Sequence, residues 1–201
     1  MKKVLSILVA AVMLFSTFVI GISAKKSDPS LRFNEDGKFR ILQIADLQDN
    51  AVLNPVAKDF IKAAIEREKP DLIVLTGDNF AGYKTGTNIF HCIDKSLAKD
   101  AIDQYMSIFE KYGIPVTMVP GNHDDDDIKL TKEEELEMYQ KYDCFIGYDA
   151  DPEMYGCGTH NIPIYSSKNA YDLAYNIWMF DSNTYDEELG GYDYVHDDQV
   201  E

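Results

Sequence analysis

The sequence predicts an α/β fold built on a parallel sheet. Short apolar runs typical of buried strands alternate with stretches whose apolar residues recur at helical spacing, as expected for βαβ units. Each of the first three apolar runs ends in a polar segment. Because open α/β sheets bind ligands at the carboxyl ends of their strands, these segments are predicted to form one site. They are the first segment, Asp46-Leu47-Gln48, the second segment, Gly77-Asp78-Asn79, and the third segment, Gly121-Asn122-His123-Asp124.

Residues 1–24 have the pattern of a signal peptide. Two lysines precede an apolar run at 4–20, and small residues precede a candidate cleavage site after Ala24. Cleavage would make the chain a secreted or extracytoplasmic protein. The alternative is an uncleaved anchor that holds the chain at the cell surface, because the apolar run lies at the short end of what spans a bilayer.

The rest of the chain divides into a polar linker at residues 25–38 and a domain at 39–201. The domain begins with alternating elements whose ends are marked by Pro70 and Gly113. These elements are a strand at 39–45, a helix at 55–69, a strand at 72–75, a helix at 96–112 and a strand at 116–119.

The last third of the chain changes character. Thr131 and Glu134 have the spacing of a capping box, which predicts a helix from there to about Tyr142. Strands predicted at 161–165 and 170–181 would form a second sheet packed on the first, and 190–201 would be a loop entering a helix. The aromatic residues of these strands are interpreted as core residues rather than as a substrate platform. They include Tyr165, Tyr171, Tyr175, Trp178 and Phe180.

Composition limits the partners that this chain can have. Its 201 residues suffice for one domain, and 35 acidic against 19 basic residues give a formal net charge of −16. Such a surface repels nucleic acid backbones and anionic membranes, so nucleic acid binding is not expected, and membrane contact is expected only if the N-terminal segment is uncleaved. A phosphate substrate would need cations to meet it, and bound metal ions would supply them.

Three cysteines would lie outside the cytoplasm in an exported chain, where disulfides persist. Cys144 and Cys157 enclose a short polar loop and are candidates for a disulfide, although free thiols are equally compatible with the sequence. Cys92 has no obvious partner. The three residues are too scattered for a sulfur-ligated zinc site.

The three polar segments resemble the signature of the calcineurin-like metallophosphoesterase superfamily: Asp-x-His, then Gly-Asp, then Gly-Asn-His-Asp or Glu. Residues 178–183 and 192–194 further resemble the purple acid phosphatase-like branch. The resemblance extends from residue 39 to the C-terminus. It implies a four-layer α/β/β/α sandwich and hydrolysis of phosphate esters.

The same resemblance implies a centre of two divalent metal ions, with Mn, Fe, Zn or Mg as candidates. Asp46 would bind the first metal, Asp78 would bridge both, and Asn122 would bind the second. A metal-bound hydroxide would attack phosphorus in line. His123 would act as general acid or stabilise the transition state, and Asp124 would orient its ring.

Two features depart from the family pattern. Gln48 stands where the family has histidine, and it is expected either to bind the metal through its amide oxygen or to form a hydrogen bond around the site. The chain also reaches Glu201 without the Gly-His-x-His signature of the family, so a C-terminally truncated fragment with an incomplete second sheet is expected. The remaining histidines lie in no matching motif; they are His91, His160 and His196.

The sequence therefore predicts an exported metal-dependent phosphoesterase that acts on phosphate mono- or diesters. One alternative is a non-catalytic metal- or phosphate-binding protein on the same fold, or an inactive fragment. Another is a structural cell-surface protein tethered by residues 4–20.

Overall fold

A computed structural model describes residues 30–82, 92, 94–124, 130–186, 188 and 190–201. The predicted signal peptide and His91 lie outside these residues. Within the described ranges, no helix has the length and apolar character needed to cross a bilayer.

Strands and helices alternate through the first two thirds of the chain, as predicted, and strands dominate the rest. The strands are β1 (Leu31–Arg32), β2 (Ile41–Ile44), β3 (Leu72–Thr76), β4 (Val116–Val119), β5 (His160–Tyr165), β6 (Leu173–Met179), β7 (Tyr185–Asp186) and β8 (Gly191–Tyr192). The helices are α1 (Pro55–Glu68), α2 (Lys95–Tyr112) and α3 (Lys132–Tyr139), followed by a 3₁₀ turn at Asp197–Gln199.

The first sheet is parallel and has the strand order β2-β3-β4, which confirms the predicted pairing. Its central strand, β3, is buried on both faces, as expected for a parallel sheet covered on both sides. β2 was predicted as a buried strand, but Ile41 is 46% exposed. The reason is its position, since among the described strands β2 pairs with β3 alone.

The helices are capped by the residues that their sequences indicate. Asp94 accepts the backbone N–H groups of Ser96 and Leu97 at the start of α2, and Gly113 ends that helix with a left-handed φ of 65°. Thr131 and Glu134 form the predicted capping box of α3. Local hydrogen bonding therefore fixes where these helices begin and end.

Two apolar clusters define three layers. One cluster joins all three helices to one face of the first sheet. The other lies between the two sheets, where Val74 and Val119 meet Ile162 and Ile164 of the second sheet. The α/β class is thus confirmed, with helices, first sheet and second sheet stacked in that order among the described residues.

The second sheet has the order β1-β5-β6, with β1 parallel to β5 and β6 antiparallel to it. Residues 25–38 were predicted as a linker, but β1 lies within them and pairs Leu31 with Ile164. The described part of that stretch therefore belongs to the domain. A strand of two residues has too little periodicity to be recognised in sequence.

The candidate disulfide between Cys144 and Cys157 is not present in the structure. Cys157 is buried, and its burial raises the pKa of the thiol to about 12, with smaller contributions from nearby carboxylates. Such a thiol stays protonated and is a poor nucleophile.

His160 links the two sheets as a neutral core residue. Its Nε2 lies 2.6 Å from Thr117 Oγ1 on β4, and its Nδ1 lies 2.6 Å from the carbonyl oxygen of Gly158. Burial lowers the pKa of His160 below its usual 6.5. Both ring nitrogens of His160 are within hydrogen-bond distance of structural partners. This histidine, which lies in none of the family motifs, therefore stabilises the fold.

Replacing His160 with glutamine is expected to weaken the pH dependence of stability below about pH 6.5. The pKa is lowered on folding, so the neutral ring stabilises the fold above about pH 6.5, and this contribution is lost as pH falls toward the folded-state pKa. Urea unfolding of both proteins between about pH 7.5 and 5.5 measures the effect. Identical slopes of unfolding free energy against pH would contradict it.

Candidate active site

The three polar segments meet at the carboxyl edge of the first sheet. The backbone N–H of Asp46 donates to the carbonyl of Gly77 (3.2 Å), and that of Gln48 donates to the carbonyl of Asp78 (2.9 Å). Asp46, Asp78 and Asn122 line one cavity of about 550 Å³. The structure therefore brings the predicted ligands together at the predicted edge, while their roles stay predictions.

Asp78 lies at the centre of this arrangement. Its Oδ1 accepts the backbone N–H of His123 (2.9 Å), and its Oδ2 accepts the side-chain amide Nε2 of Gln48 (3.2 Å). A single carboxylate thus connects all three segments. These contacts fix the Asp78 side chain at the floor of the cavity.

The backbone is strained at three site residues. The φ values of Asp46, Gln48 and Asp78 are 54°, 38° and 53°. These values lie in the left-handed region, which residues other than glycine adopt at an energetic cost. Each such residue costs on the order of 1 kcal/mol, and this kind of strain persists where the surrounding structure holds a site in place. The strain here coincides with the predicted metal ligands.

Two glycines allow the second and third segments to touch. A Cβ atom on Gly77 would lie 2.7 Å from the Cα of Gly121, and one on Gly121 would lie 2.3 Å from both the backbone nitrogen and Oδ1 of Asp78. No side chain fits between these backbones. The glycines of the Gly-Asp and Gly-Asn-His-Asp motifs are thus required by close approach.

Asp124 binds the backbones of both segments. Its Oδ1 accepts the N–H groups of Asn79 (2.7 Å) and Phe80 (3.1 Å), and its Oδ2 accepts that of Gly121 (2.8 Å). Burial raises the pKa of Asp124 to about 7, the charge of Asp78 adds to this, and the three backbone hydrogen bonds oppose it.

The role expected for Asp124, to orient the His123 ring, stays a prediction. Its three backbone hydrogen bonds show that it also joins the second segment to the third. His123 is itself half-buried, and its backbone is fixed by Asp78. The general-acid role of its ring stays a prediction.

Asn122 has a neighbour that sequence reasoning missed. Its Nδ2 donates to the phenolic oxygen of Tyr185 on β7 (3.2 Å). Because the amide nitrogen is held in this way, the amide oxygen is free to serve as the ligand that was predicted. A tyrosine more than 60 positions away carries no sequence signal for this contact.

The donor set suits a hard cation. Asp46, Asp78, Asn122 and Gln48 offer carboxylate and amide oxygens, which magnesium and manganese prefer, whereas zinc favours nitrogen and sulfur. To bind an ion held by Asp78, the Gln48 amide would have to turn its oxygen rather than its nitrogen toward that carboxylate. Among the described residues, no group of three or more His, Cys, Asp and Glu side chains is arranged to hold a metal. The described residues supply oxygen ligands for at least one ion, and the centre of two ions stays a prediction.

The two histidines that follow the third segment, His160 and His196, do not act as further ligands of the predicted metal site. His160 is occupied between the sheets. His196 lies between the rings of Tyr155 and Tyr194, with ring centroids 3.8 and 4.6 Å away, and its Nε2 is 2.9 Å from Asp193 Oδ1. Its ring therefore packs in an aromatic cluster.

The far wall of the cavity is held by Asp181, which is fully buried. Its Oδ2 accepts Lys132 Nζ (2.7 Å) and the N–H of Cys157 (2.9 Å), while its Oδ1 accepts the N–H of Asn183 (2.8 Å). This buried ion pair fastens α3 to the end of β6. It sets the position of the residues that face the three segments.

The interpretation of the aromatic residues in and around β5 and β6 as core residues is wrong for three of them. Trp178, Tyr175 and Tyr171 are exposed, Tyr171 to 94%. Among the described strands, β6 is at the edge of the second sheet, and exposed side chains lie on both of its faces. Trp178 and Phe180 instead line the cavity, together with Tyr192.

Comparison with known proteins shows what the chain is similar to. Residues 39–199 match the calcineurin-like phosphoesterase family. The chain is 27% identical over 191 residues to probable inactive purple acid phosphatase 14 of Arabidopsis thaliana, which covers 83% of this chain and 45% of that protein. It is 26% identical over 191 residues to phosphatase DCR2 of Saccharomyces cerevisiae, covering 84% of this chain and 31% of that protein.

A third relative is probable inactive purple acid phosphatase 28 of Arabidopsis thaliana, 33% identical over 110 residues, or 47% of this chain and 25% of that protein. The chain thus spans less than half the length of each of these relatives. No solved structure is significantly similar to it.

Proposed function

Because the chain belongs to the calcineurin-like phosphoesterase family, we propose that it is a metal-dependent phosphoesterase that hydrolyses phosphate mono- or diesters. The observation that carries this proposal is the position of Asp78. Its carboxylate lies where the three segments meet and accepts hydrogen bonds from two of them. Asp78 lines the cavity together with Asp46 and Asn122. Export of the enzyme belongs to the same proposal and is supported by the pattern of residues 1–24 alone.

Each site residue has a distinct task in this proposal. Asp46, Asp78 and Asn122 would hold the divalent ions, and Gln48 would contribute its amide oxygen or orient Asp78. When bound, the ions supply positive charge for the phosphate and lower the pKa of an attacking water. His123 donates a proton to the leaving oxygen. Asp124 keeps the second and third segments in contact.

Removing the central carboxylate or the proton donor tests the proposal. With magnesium or manganese present, Asp78→Ala is expected to lose bound metal and reduce hydrolysis of an aryl phosphate to background. His123→Ala is expected to retain metal and lose about 10²- to 10⁴-fold in kcat. Metal content is measured by elemental analysis and activity by phosphate release. Asp59→Ala, on the exposed face of α1, is the matched control; equal rates in all four proteins would refute the catalytic assignment.

A second candidate is a non-catalytic phosphate- or metal-binding protein on the same fold. The hydrogen bond from Gln48 to Asp78 favours it, because an amide nitrogen occupies the position where the family has a metal-binding imidazole. The names of two relatives, which describe them as probable inactive phosphatases, agree with such a loss.

Restoring the histidine separates the two candidates. Gln48→His is expected to raise zinc or manganese affinity at least about tenfold, since imidazole is the better ligand for these ions. Histidine also tolerates the left-handed φ of this position better than glutamine. If hydrolysis appears only in Gln48→His, the natural chain is a non-catalytic binder. Unchanged metal affinity would contradict the placement of residue 48 at the metal.

A further inference from the structure

The wall that faces the three segments is aromatic. It carries Trp178 and Phe180 from β6 and the residue after it, and Tyr192 from β8. The opposite wall carries the carboxylates of Asp46 and Asp78. The cavity therefore has one side suited to cations and phosphate and another suited to an apolar group, within a volume typical of small-molecule sites.

Trp178 has the properties of a stacking platform. Its side chain is 63% exposed, and its indole lies nearly parallel to the ring of Phe180, with centroids 6.3 Å apart and an interplanar angle of 12°. Its backbone is fixed by pairing with Asn161 in the second sheet. A large apolar ring on a rigid strand offers contact area at a small entropic cost.

Tyr192 extends this surface toward the predicted ligands. It is 73% exposed and stacks on Tyr185, with centroids 5.4 Å apart. Tyr185 in turn accepts a hydrogen bond from Asn122. Tyr192 of the aromatic wall is thus connected through Tyr185 to Asn122, which is expected to bind a metal.

The negative charge of the cavity lining disfavours leaving groups that are themselves negatively charged. Among the residues that the structure describes, none that lines the cavity is lysine or arginine, and Asp193 adds a carboxylate to the aromatic side. Within the described part of the chain, Lys132 lies near the cavity but is paired with Asp181. A leaving group rich in negative charge would be repelled, whereas a neutral ring would gain from stacking.

We propose that this cavity binds phosphate esters whose leaving group is, or carries, a planar aromatic ring, which stacks on Trp178 with Tyr192 as its second contact. The inference rests on the proposed function, because it names the substrate class of the same site. Simple aryl groups and nucleobases share this chemistry.

Trp178 is the single tryptophan of the chain, so tryptophan fluorescence reports directly on the platform. With magnesium present, phenylphosphonate and adenosine 5′-monophosphate are titrated against methylphosphonate, which lacks a ring. Both aromatic ligands are expected to change Trp178 emission to saturation, and phenylphosphonate to bind about tenfold more tightly than methylphosphonate. A response to only one of them identifies the ring as a simple aryl group or a nucleobase.

Variants separate stacking from general effects. Tyr192→Ala is expected to weaken phenylphosphonate binding and leave methylphosphonate binding unchanged, while Tyr171→Ala, exposed and away from the cavity, should change neither. For Trp178→Ala, calorimetry should show weaker phenylphosphonate binding that Trp178→Phe partly restores. Equal affinities of phenylphosphonate and methylphosphonate for the natural chain would overturn the inference.

Hydrolysis distinguishes failure of this inference from failure of the proposed function. If the inference holds, Trp178→Ala lowers the ratio of kcat/KM for an aryl over an alkyl phosphate about tenfold. Hydrolysis with an unchanged ratio refutes stacking and leaves the phosphoesterase intact. Fluorescence changes without hydrolysis of any ester refute the enzyme and retain the aromatic site.

Discussion

Replacing Asp124 with alanine is expected to destabilise the folded chain by at least about 3 kcal/mol, because three buried N–H groups would lose their acceptor at about 1–3 kcal/mol each. Asn79, Phe80 and Gly121 donate these hydrogen bonds. Since a domain of this size is stable by only about 5–15 kcal/mol, much of that margin would be lost.

Urea unfolding of Asp124→Ala and the natural chain measures this loss. Asp59→Ala is the control, as it removes a carboxylate from the exposed face of α1 and should change stability by less than about 0.5 kcal/mol. Asp124→Asn, which keeps one acceptor oxygen, should fall between them. A single hydrogen bond contributes about 1 kcal/mol to stability. If Asp124→Ala loses less than about this amount, other groups hold the segments together.

Adding one methyl group at Gly121 is expected to be nearly as damaging. The new Cβ would lie 2.3 Å from the backbone nitrogen and Oδ1 of Asp78, so the second segment must move. Overpacking of this kind costs about 1–3 kcal/mol, and displacing a central site residue by about 1 Å lowers a rate about 10²-fold. Gly121→Ala should therefore lose both stability and phosphoesterase activity.

The matched control is Gly191→Ala. Gly191 has no atom within 4 Å of an added Cβ, and its φ lies outside the left-handed region. Its substitution should leave unfolding free energy and phosphate release nearly unchanged. Normal activity in Gly121→Ala would mean that the contact between the two segments is not needed for the site.

Local patterns account for what the sequence could predict. The apolar runs of β3 and β4, the caps of α2 and α3 and the polar segments after each strand are encoded by neighbours within a few residues. Parallel pairing then places the polar segments at one edge by geometry alone. For this reason the convergence of Asp46, Asp78 and Asn122 followed from the sequence.

Long-range contacts account for what it could not. Nothing near Tyr185 indicates that its hydroxyl reaches Asn122, and nothing near Asp124 shows that its carboxylate accepts three backbone N–H groups. The alternation in β6 identifies a strand but not whether another layer covers its face, so the exposure of Trp178 was missed. β1 was not predicted because a strand of two residues is too short to show the alternation of apolar and polar residues by which strands are recognised.

The pairing of Leu31 with Ile164 has a consequence for how the domain is synthesised. The described strands of the first sheet have all been synthesised once Val119 has left the ribosome, whereas the described strands of the second sheet come from both ends of the domain and are all present only after Met179. Contacts between such distant residues form slowly, and domains fold as their residues emerge. The segments that carry the predicted ligands can therefore assemble first, and the aromatic wall is added to them last.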